Sequence, residues 1–407
     1  MKRLFFFLMI TTFLFCACTR PQQPTVKELT TQEQEEHSVE IFEDKKFSDM
    51  SQSLPPETKV SGVLVLPDGT PWIYGNTGIF SVDQDGQAIL IFDQPVWDFQ
   101  GVDQSGRVWV LGEGYQFIAC FDGQDWQVFG PGQGWDGLPD LPYLSKGVGD
   151  GLAHDSQGRI WIATGSDVLK LFNTETNTWQ TLSSDKLGFP PYQNADYQGY
   201  LLTDSLNTET GQIWISACIG EGENLKPFGI WQGDGKQWEE LKATNKDCVL
   251  DMANGLDGVI WAGGFNSLLK FDSRSGNWTR IDLPPYERSQ IISRININPV
   301  TGQPWVQVIR FGGASIFGSL AYYHLGPSGW VLDMESTSFS EIGVTFEPNG
   351  TAWMCGDGQM LKSNGADLNV VAELNLNNCQ ISIDGSSRIW IVDLDQSKLW
   401  MSEIESD

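Results

Sequence analysis

A tryptophan recurs along this chain at Trp72, Trp109, Trp161, Trp214, Trp261, Trp305, Trp353 and Trp390, at intervals of 37 to 53 residues. Seven of the eight have glycine three residues earlier: Gly69, Gly106, Gly158, Gly211, Gly258, Gly302 and Gly350. The eighth has Ser387 there, with Gly385 two residues before it. An acidic residue often stands just ahead of the glycine, as in Asp103-Gln-Ser-Gly106, Asp155-Ser-Gln-Gly158 and Leu256-Asp257-Gly258. Self-similarity at this period builds a fold from one supersecondary unit used many times. It leaves little room for any other architecture.

Residues 151–182 show what one unit contains. Gly151 to His154 reads as a strand, and Asp155 to Gly158 as a tight turn, because Asp and Gly tolerate positive φ. Arg159 to Ala163 is a second strand, carrying the β-branched and aromatic residues of buried sheet. After a turn at Thr164 to Asp167, Val168 to Phe172 reads as a third strand and Trp179 to Leu182 as a fourth. Four short antiparallel strands with no helical periodicity between them make a propeller blade. The expectation is an all-β chain: a single β-propeller of about eight four-stranded blades. Seven is the alternative should the unit around Trp305 be irregular. The last unit is one strand short, and Ser38 to Phe42 is expected to supply it, closing the ring and removing its exposed edges.

The core of the unit resembles the two-component-regulator type of propeller repeat, which reads roughly Asp-x-x-Gly-x-hydrophobic-Trp-hydrophobic-Gly/Ala. The best matches are Asp103 to Leu111, Asp155 to Thr164 and Asp257 to Gly263. The resemblance spans residues 60–400 and implies the propeller fold. In that family such propellers are often the sensor part of a membrane kinase. The sequence as read carries no kinase or transmembrane segment after the repeats, so signalling in cis is not expected. Fold likeness by itself assigns no activity.

The N-terminus points to export. Lys2 and Arg3 precede an apolar run from Leu4 to Phe15, followed by Cys16-Ala17-Cys18. This is the pattern of a secretory signal, and the run is shorter than the roughly 20 residues that span a bilayer. Leu14 to Cys18 resembles a bacterial lipobox, which implies cleavage after Ala17 and diacylation of Cys18. The alternative is an ordinary cleaved signal. The division is then 1–17 signal peptide, 18–37 flexible polar tether and 38–407 propeller, because Thr19 to Ser38 has almost no apolar content. The expected location is the outer side of the cytoplasmic membrane or the outer membrane, reached through the lipid anchor alone. Net charge is −27, or −29 once Lys2 and Arg3 are removed, which argues against nucleic acid.

One tryptophan per blade suggests an aromatic binding site, but a residue recurring at one blade position packs blade against blade. Trp126, Trp179, Trp238, Trp278 and Trp330, which begin outer strands, read the same way. Beyond Cys18, the mature chain has Cys120, Cys218, Cys248, Cys355 and Cys379, with no spacing of a zinc or thioredoxin-like site. Cys218 ends the second strand of one unit and Cys248 precedes the first strand of the next. Cys355 and Cys379 repeat that arrangement three blades later. Disulfides Cys218–Cys248 and Cys355–Cys379 are one reading. Five small buried hydrophobes are the other.

Catalytic constellations are thin. His37, His154 and His324 sit in different units, so no histidine-based metal site or Ser-His-Asp arrangement is visible. The repeat is loosely similar to that of the propeller lyase that opens streptogramin antibiotics. That likeness implies a central catalytic histidine, for which His154 is the candidate. Asp boxes of the sialidase type are not matched. Paired carboxylates in the central channel keep a hydrolase or lyase open as the alternative function. No cofactor is indicated, and Ca²⁺ stays open without a motif for it.

The favoured expectation is a non-catalytic propeller that binds a protein partner or a glycan through its long-loop face, where blade-to-blade loops and the loops between second and third strands open together. Long loops in a compact fold carry function. The candidates are Trp135, Asp136, Asp140 and Tyr143 in one loop, and Tyr192 and Tyr197 in another. Tyr286 and Arg288 stand in a third, with Arg310 from a second-to-third strand loop.

Overall fold

The structure is a computed structural model. It describes residues 40–42, 45–83, 86–137, 152–155, 157–164, 168–183, 186, 201–208, 212–219, 226–234, 237–244, 248–311, 318–336, 342–364, 367–373, 376 and 378–403. Eight antiparallel sheets follow one another along the chain, seven of four strands and one of five. We number them blades 1 to 8: 60–92, 96–129, 153–183, 201–240, 249–282, 290–336, 343–373 and 379–402. Their first strands contact one another around the axis, so the architecture is an eight-bladed β-propeller. The unit around Trp305 is a regular blade, with strands Gln290–Ile297, Pro304–Arg310, Ser319–Gly326 and Gly329–Ser336.

The turn between first and second strands explains the recurrent motif. In blade 2, Oδ1 of Asp103 accepts the backbone N–H of Ser105 (2.8 Å) and Arg107 (3.0 Å). Oδ2 accepts Nε of Arg107 (2.7 Å) and the indole N–H of Trp109 (2.8 Å). One buried carboxylate thus holds the turn, neutralises an arginine and satisfies the tryptophan, as buried polar groups require. Asp155 makes the same bonds to Arg159 and Trp161 in blade 3, and Asp384 to Arg388 and Trp390 in blade 8. Among the described residues the glycine three before the tryptophan has positive φ, for example 82° at Gly106 and 89° at Gly350. Ser387 adopts the same left-handed region (φ 59°), because the glycine of that turn is used elsewhere. Gly385 packs on Gly69 so closely that a Cβ on Gly69 would lie 2.5 Å from the Gly385 Cα.

The eight repeat tryptophans are all buried. Each of the first four meets the outer-strand tryptophan of the following blade: Trp72–Trp126 at 5.6 Å, Trp109–Trp179 at 5.6 Å, Trp161–Trp238 at 5.7 Å and Trp214–Trp278 at 5.5 Å between centroids. Pairs of this kind add roughly 0.5–1.5 kcal/mol each beyond the area they bury. Both tryptophan sets therefore pack blade against blade.

The N-terminal segment closes the ring, with one correction. The strand that completes blade 8 is Lys45–Asp49, paired antiparallel to Lys398–Ser402, and Glu40–Phe42 adds a fifth strand outside it. Phe47 accounts for the difference from the expected Ser38 to Phe42. It is buried among Trp353, Cys355, Met360, Ile389 and Trp400 between blades 7 and 8, while its exposed neighbour Lys46 pairs with Glu403 at 2.9 Å. Two lysines had masked a strand whose inward residue is fully apolar. Two further covalent ties link neighbouring blades: Cys218 is bonded to Cys248 across blades 4 and 5, and Cys355 to Cys379 across blades 7 and 8.

Candidate ligand-binding site

The first strands line the central channel, and in five blades that strand carries a β-bulge near its start. Ser61, Trp97, Thr203, Leu250 and Ser293 are the extra residues. A bulge bends the strand and re-aims the side chains beside it. The residue after it, opposite the position two beyond the repeat tryptophan, defines one level of the channel. That level carries Gly62, Asp98, Asp204, Asp251 and Arg294, with Gly343 and Gln380 in the two blades lacking the bulge. The blade 3 position falls outside the described residues. Unlike the tryptophan, this position differs from blade to blade.

Its carboxylates are engaged by backbone. Asp204 accepts the N–H of Met252 in the next blade at 2.7 Å, and Asp251 accepts that of Ile295 in the blade after. Oδ1 of Asp98 accepts its own neighbour's N–H, at Phe99, at 2.8 Å. Serine does similar work where the ring closes, Ser382 donating to the Val63 carbonyl at 3.1 Å. Asp204 and Asp251 thus staple neighbouring first strands together.

Blades 1, 2, 6, 7 and 8 leave open space between them. A cavity of about 430 Å³ is lined by Val63, Val65, Asp98, Arg294, Val344 and Gln380, among others. A second, of about 270 Å³, shares Tyr74, Asp98, Arg294 and Gln380 with it. It adds Lys59, Trp97, Asn378 and Ser397, which lie at first-strand starts and in a second-to-third strand loop. It is therefore the mouth of the channel on the long-loop face. Gly62 makes the arrangement feasible: a Cβ there would lie 2.3 Å from the Tyr74 hydroxyl and 2.4 Å from Oε1 of Gln380. Of the 17 tryptophans, all among the described residues, Trp97 alone is exposed, at 43 %.

The long-loop candidates take varied positions. Trp135 is fully buried, a correction to the exposed placement expected of it. It packs edge-on to Trp179 at 5.0 Å, and its indole N–H donates to the Tyr115 carbonyl at 3.0 Å. Gly134 permits this, since a Cβ there would lie 1.9 Å from the Trp179 carbonyl oxygen. Asp136 pairs with the buried Lys170 and accepts from Thr181 at 3.0 Å. Burial pushes its carboxyl up, but the Lys170 and Thr181 donors outweigh that and hold it below the usual carboxylate range. Asp140, Tyr143, Tyr192, Tyr197 and the lipidation candidate Cys18 lie outside the described residues.

Tyr286 and Arg310 are brought together, the guanidinium 4.6 Å from the tyrosine ring. Arg310 was expected in a loop but ends the strand Pro304–Arg310 and is buried, paired with Glu335 and the Tyr323 hydroxyl. Burial opposes its charge, and these two partners more than restore it. Arg288 is exposed in the loop next to it. His324 pairs through Nδ1 with Asp333 at 2.8 Å and stacks on Trp305 at 4.8 Å, remote from the channel in the third strand of blade 6. His154 is buried beside the blade 2 and blade 3 turns, and burial lowers its pKa. Cys120 is a buried free thiol, pushed up to about 11 by burial. Among the described residues no group of three or more His, Cys, Asp or Glu is gathered as for a metal ion, and no helix is long and apolar enough to cross a membrane.

The channel mouth is what the sequence reading missed. Its signal was present: Trp97 belongs to neither recurrent tryptophan set, and aligning the repeats on tryptophan reveals a channel position that varies between Gly, Asp, Arg and Gln.

No protein-family profile matches the chain, and no curated protein is similar to it in sequence. Several solved structures are similar to it. The Dos1 propeller is 9 % identical with a TM-score of 0.52, covering 86 % of this chain and 93 % of that one. A streptogramin B lyase is 14 % identical with a TM-score of 0.45, covering 88 % and 97 %. The extracellular domain of a protein described as a one component system, from B. thetaiotaomicron, is 11 % identical with a TM-score of 0.39, covering 83 % and 50 %. At such identities the likeness is one of fold: this chain is a β-propeller.

Proposed function

We propose that the protein is an exported, lipid-anchored propeller that binds a glycan or protein partner on its long-loop face and performs no chemistry on it. The observation that carries this reading is the state of the channel carboxylates. General acid–base work needs a carboxyl poised toward substrate. Asp204 and Asp251 are instead occupied as acceptors for the backbone of the next blade, and Asp98 for its own neighbour. The mouth nevertheless remains open and chemically mixed, with an exposed indole at its rim. Export is supported by the two inter-blade disulfides, which persist in oxidising compartments. Lipid anchoring rests on the lipobox-like run ending at Cys18.

Two measurements test it. Labelled palmitate should enter the full chain and fail to enter Cys18→Ala, with the variant released from membranes. Thermal unfolding of the full chain against envelope glycans and peptides should show at least one stabilising ligand. At a hundred times its Kd that ligand adds about 2.7 kcal/mol. Turnover of any of these ligands, abolished by Asp98→Asn, would replace binding with catalysis as the function.

A further inference from the structure

We infer that the mouth of the central channel is a saccharide subsite, with the Trp97 indole stacking on a sugar ring and Asp98, Asn378 and Gln380 bonding its hydroxyls. This deepens the binding reading above and rests on it, by naming both the place on the long-loop face and the ligand class.

The argument begins with what the fold does not require. The bulge in the first strand recurs in five blades, and its extra residue is Ser61, Thr203, Leu250 or Ser293 in four of them. Ser293 bonds the Gln307 carbonyl and Leu250 is buried, so both serve packing. Trp97 stands at the same position in blade 2 with 43 % of its surface exposed. Every other tryptophan of the chain is buried or half-buried. The indole that the fold leaves in solvent lines the one mouth where Asp98, Asn378 and Gln380 converge.

That combination has a chemical meaning. The C–H face of a pyranose is apolar and flat enough to lie on an indole, while its equatorial hydroxyls pair with planar carboxylate and amide groups. A protein-sized partner would need a broad contact surface, roughly 800 Å² on each side. The mouth is instead concave, about 270 Å³, and continuous with the 430 Å³ channel through Tyr74, Asp98, Arg294 and Gln380. These volumes lie near the roughly 300–1,000 Å³ of small-ligand sites. Depth suits the end of a chain, with one or two rings inside. Lys59 and Arg294 stand with Asp98 at the rim, so neutral rings and rings carrying a carboxylate both fit the charge.

The test uses the full chain and a panel of tetrasaccharides, neutral (cello-, chito-, manno- and xylo-) and acidic (galacturonic), with hexapeptides as the non-sugar arm. Affinity is read by calorimetry, and exposure of Trp97 by acrylamide quenching. The expected result is that at least one saccharide binds and shields an indole from quenching. Trp97→Ala should weaken it tenfold or more, Trp97→Tyr should retain it within about threefold, and Asp98→Asn should weaken it at an unchanged unfolding midpoint. Binding that survives Trp97→Ala, or silence across the saccharides, overturns the inference. A peptide bound instead, or a saccharide lost only with Tyr286→Ala, leaves the binding function standing and removes this site. Silence of both arms removes both.

Discussion

Blades 2, 3 and 8 and blades 4, 5 and 6 place the same tryptophan at the same position and satisfy it in opposite ways. In the first group an aspartate six residues earlier accepts the indole N–H, and blade 7 achieves this with Glu347 at 2.8 Å. In the second group that position is Thr208, Gly255 or Pro299. The indole nitrogens of Trp214, Trp261 and Trp305 are buried with no acceptor among the described residues. Those tryptophans are held by apolar and ring contacts, Trp214 stacked on Trp278 and Trp305 on His324. The fold thus demands the volume and flatness of tryptophan, whereas the carboxylate is a separate, optional staple. The motif that reads as one unit in sequence is two devices in structure.

The most damaging way to break the comparison is Asp103→Ala. It strands the indole N–H of Trp109, two backbone donors and the Arg107 guanidinium at once. Removing one member of a buried ion pair costs about 3–5 kcal/mol. On a ring of this size that lowers Tm by about 5 °C by calorimetry. Thr208→Ala in blade 4 should cost about 1 kcal/mol, since no indole depends on it. Equal losses from the two variants would refute the two-device reading.

The next effect belongs to the disulfides. Cys218–Cys248 ties blade 4 to blade 5, where no carboxylate holds the repeat tryptophan, and Cys355–Cys379 ties blades 7 and 8, where one does in each. Each cross-link is worth about 2–4 kcal/mol. Replacing Cys218 and Cys248 together by serine should therefore lower Tm by several degrees. Limited proteolysis should then begin in blades 4 and 5 before any other. First cleavage in blade 2 would show that the carboxylates matter less than their bonds suggest.

A gain of stability sharpens the contrast from the other side. Thr208→Asp with Gln212→Arg transplants the staple into blade 4, placing an acid six residues and an arginine two residues before Trp214, as Asp103 and Arg107 stand to Trp109. Thr208 already accepts the N–H of Gln212 at 3.1 Å, as Asp103 accepts that of Arg107. Net stabilisation of about 1 kcal/mol is expected, read as a shift of one to two degrees. Gly255→Asp should not succeed in the same way, because a Cβ there already lies 2.8 Å from the Trp261 indole nitrogen.

This division explains what was legible in sequence. Tryptophan, glycine and aspartate recur because turn geometry and blade packing repeat, so Trp109, Gly106 and Asp103 announce the fold by themselves. Residues that serve once do not repeat. Lys45–Asp49 was passed over because closure happens a single time and its apolar inward residue, Phe47, is flanked by lysines and a serine. Trp135 suggested an exposed aromatic loop, yet its burial depends on Gly134 and Trp179, partners that no local pattern reveals. The channel mouth is assembled from four blades, and each contributes a residue ordinary in its own context. Only alignment of the units against one another shows that Trp97 departs from the pattern.

The smallest effect is one of pH, and it has opposite signs on the two sides of the ring. His154 ends the first strand of blade 3, facing Asp103, Arg107 and Asp155. Burial disfavours its charged form and outweighs the attraction of the two aspartates, so its folded pKa lies below the ordinary 6.5. The unfolded chain then binds the proton more readily. Stability is complete above about pH 6.5 and is lost as pH falls through that value, with a slope no steeper than one proton's worth, about 1.4 kcal/mol per unit. Asp333 in blade 6 acts in the opposite sense. Burial raises its pKa despite the His324 bond, so acidification toward the carboxylate range relieves a penalty there. His154→Gln should therefore flatten the loss that sets in below about pH 6.5, whereas Asp333→Asn should remove the opposing gain that sets in as pH falls toward the carboxylate range. Urea midpoints across pH 4 to 8 separate the two. A profile in which His154→Gln changes nothing would place that histidine in contact with water and away from the turn carboxylates.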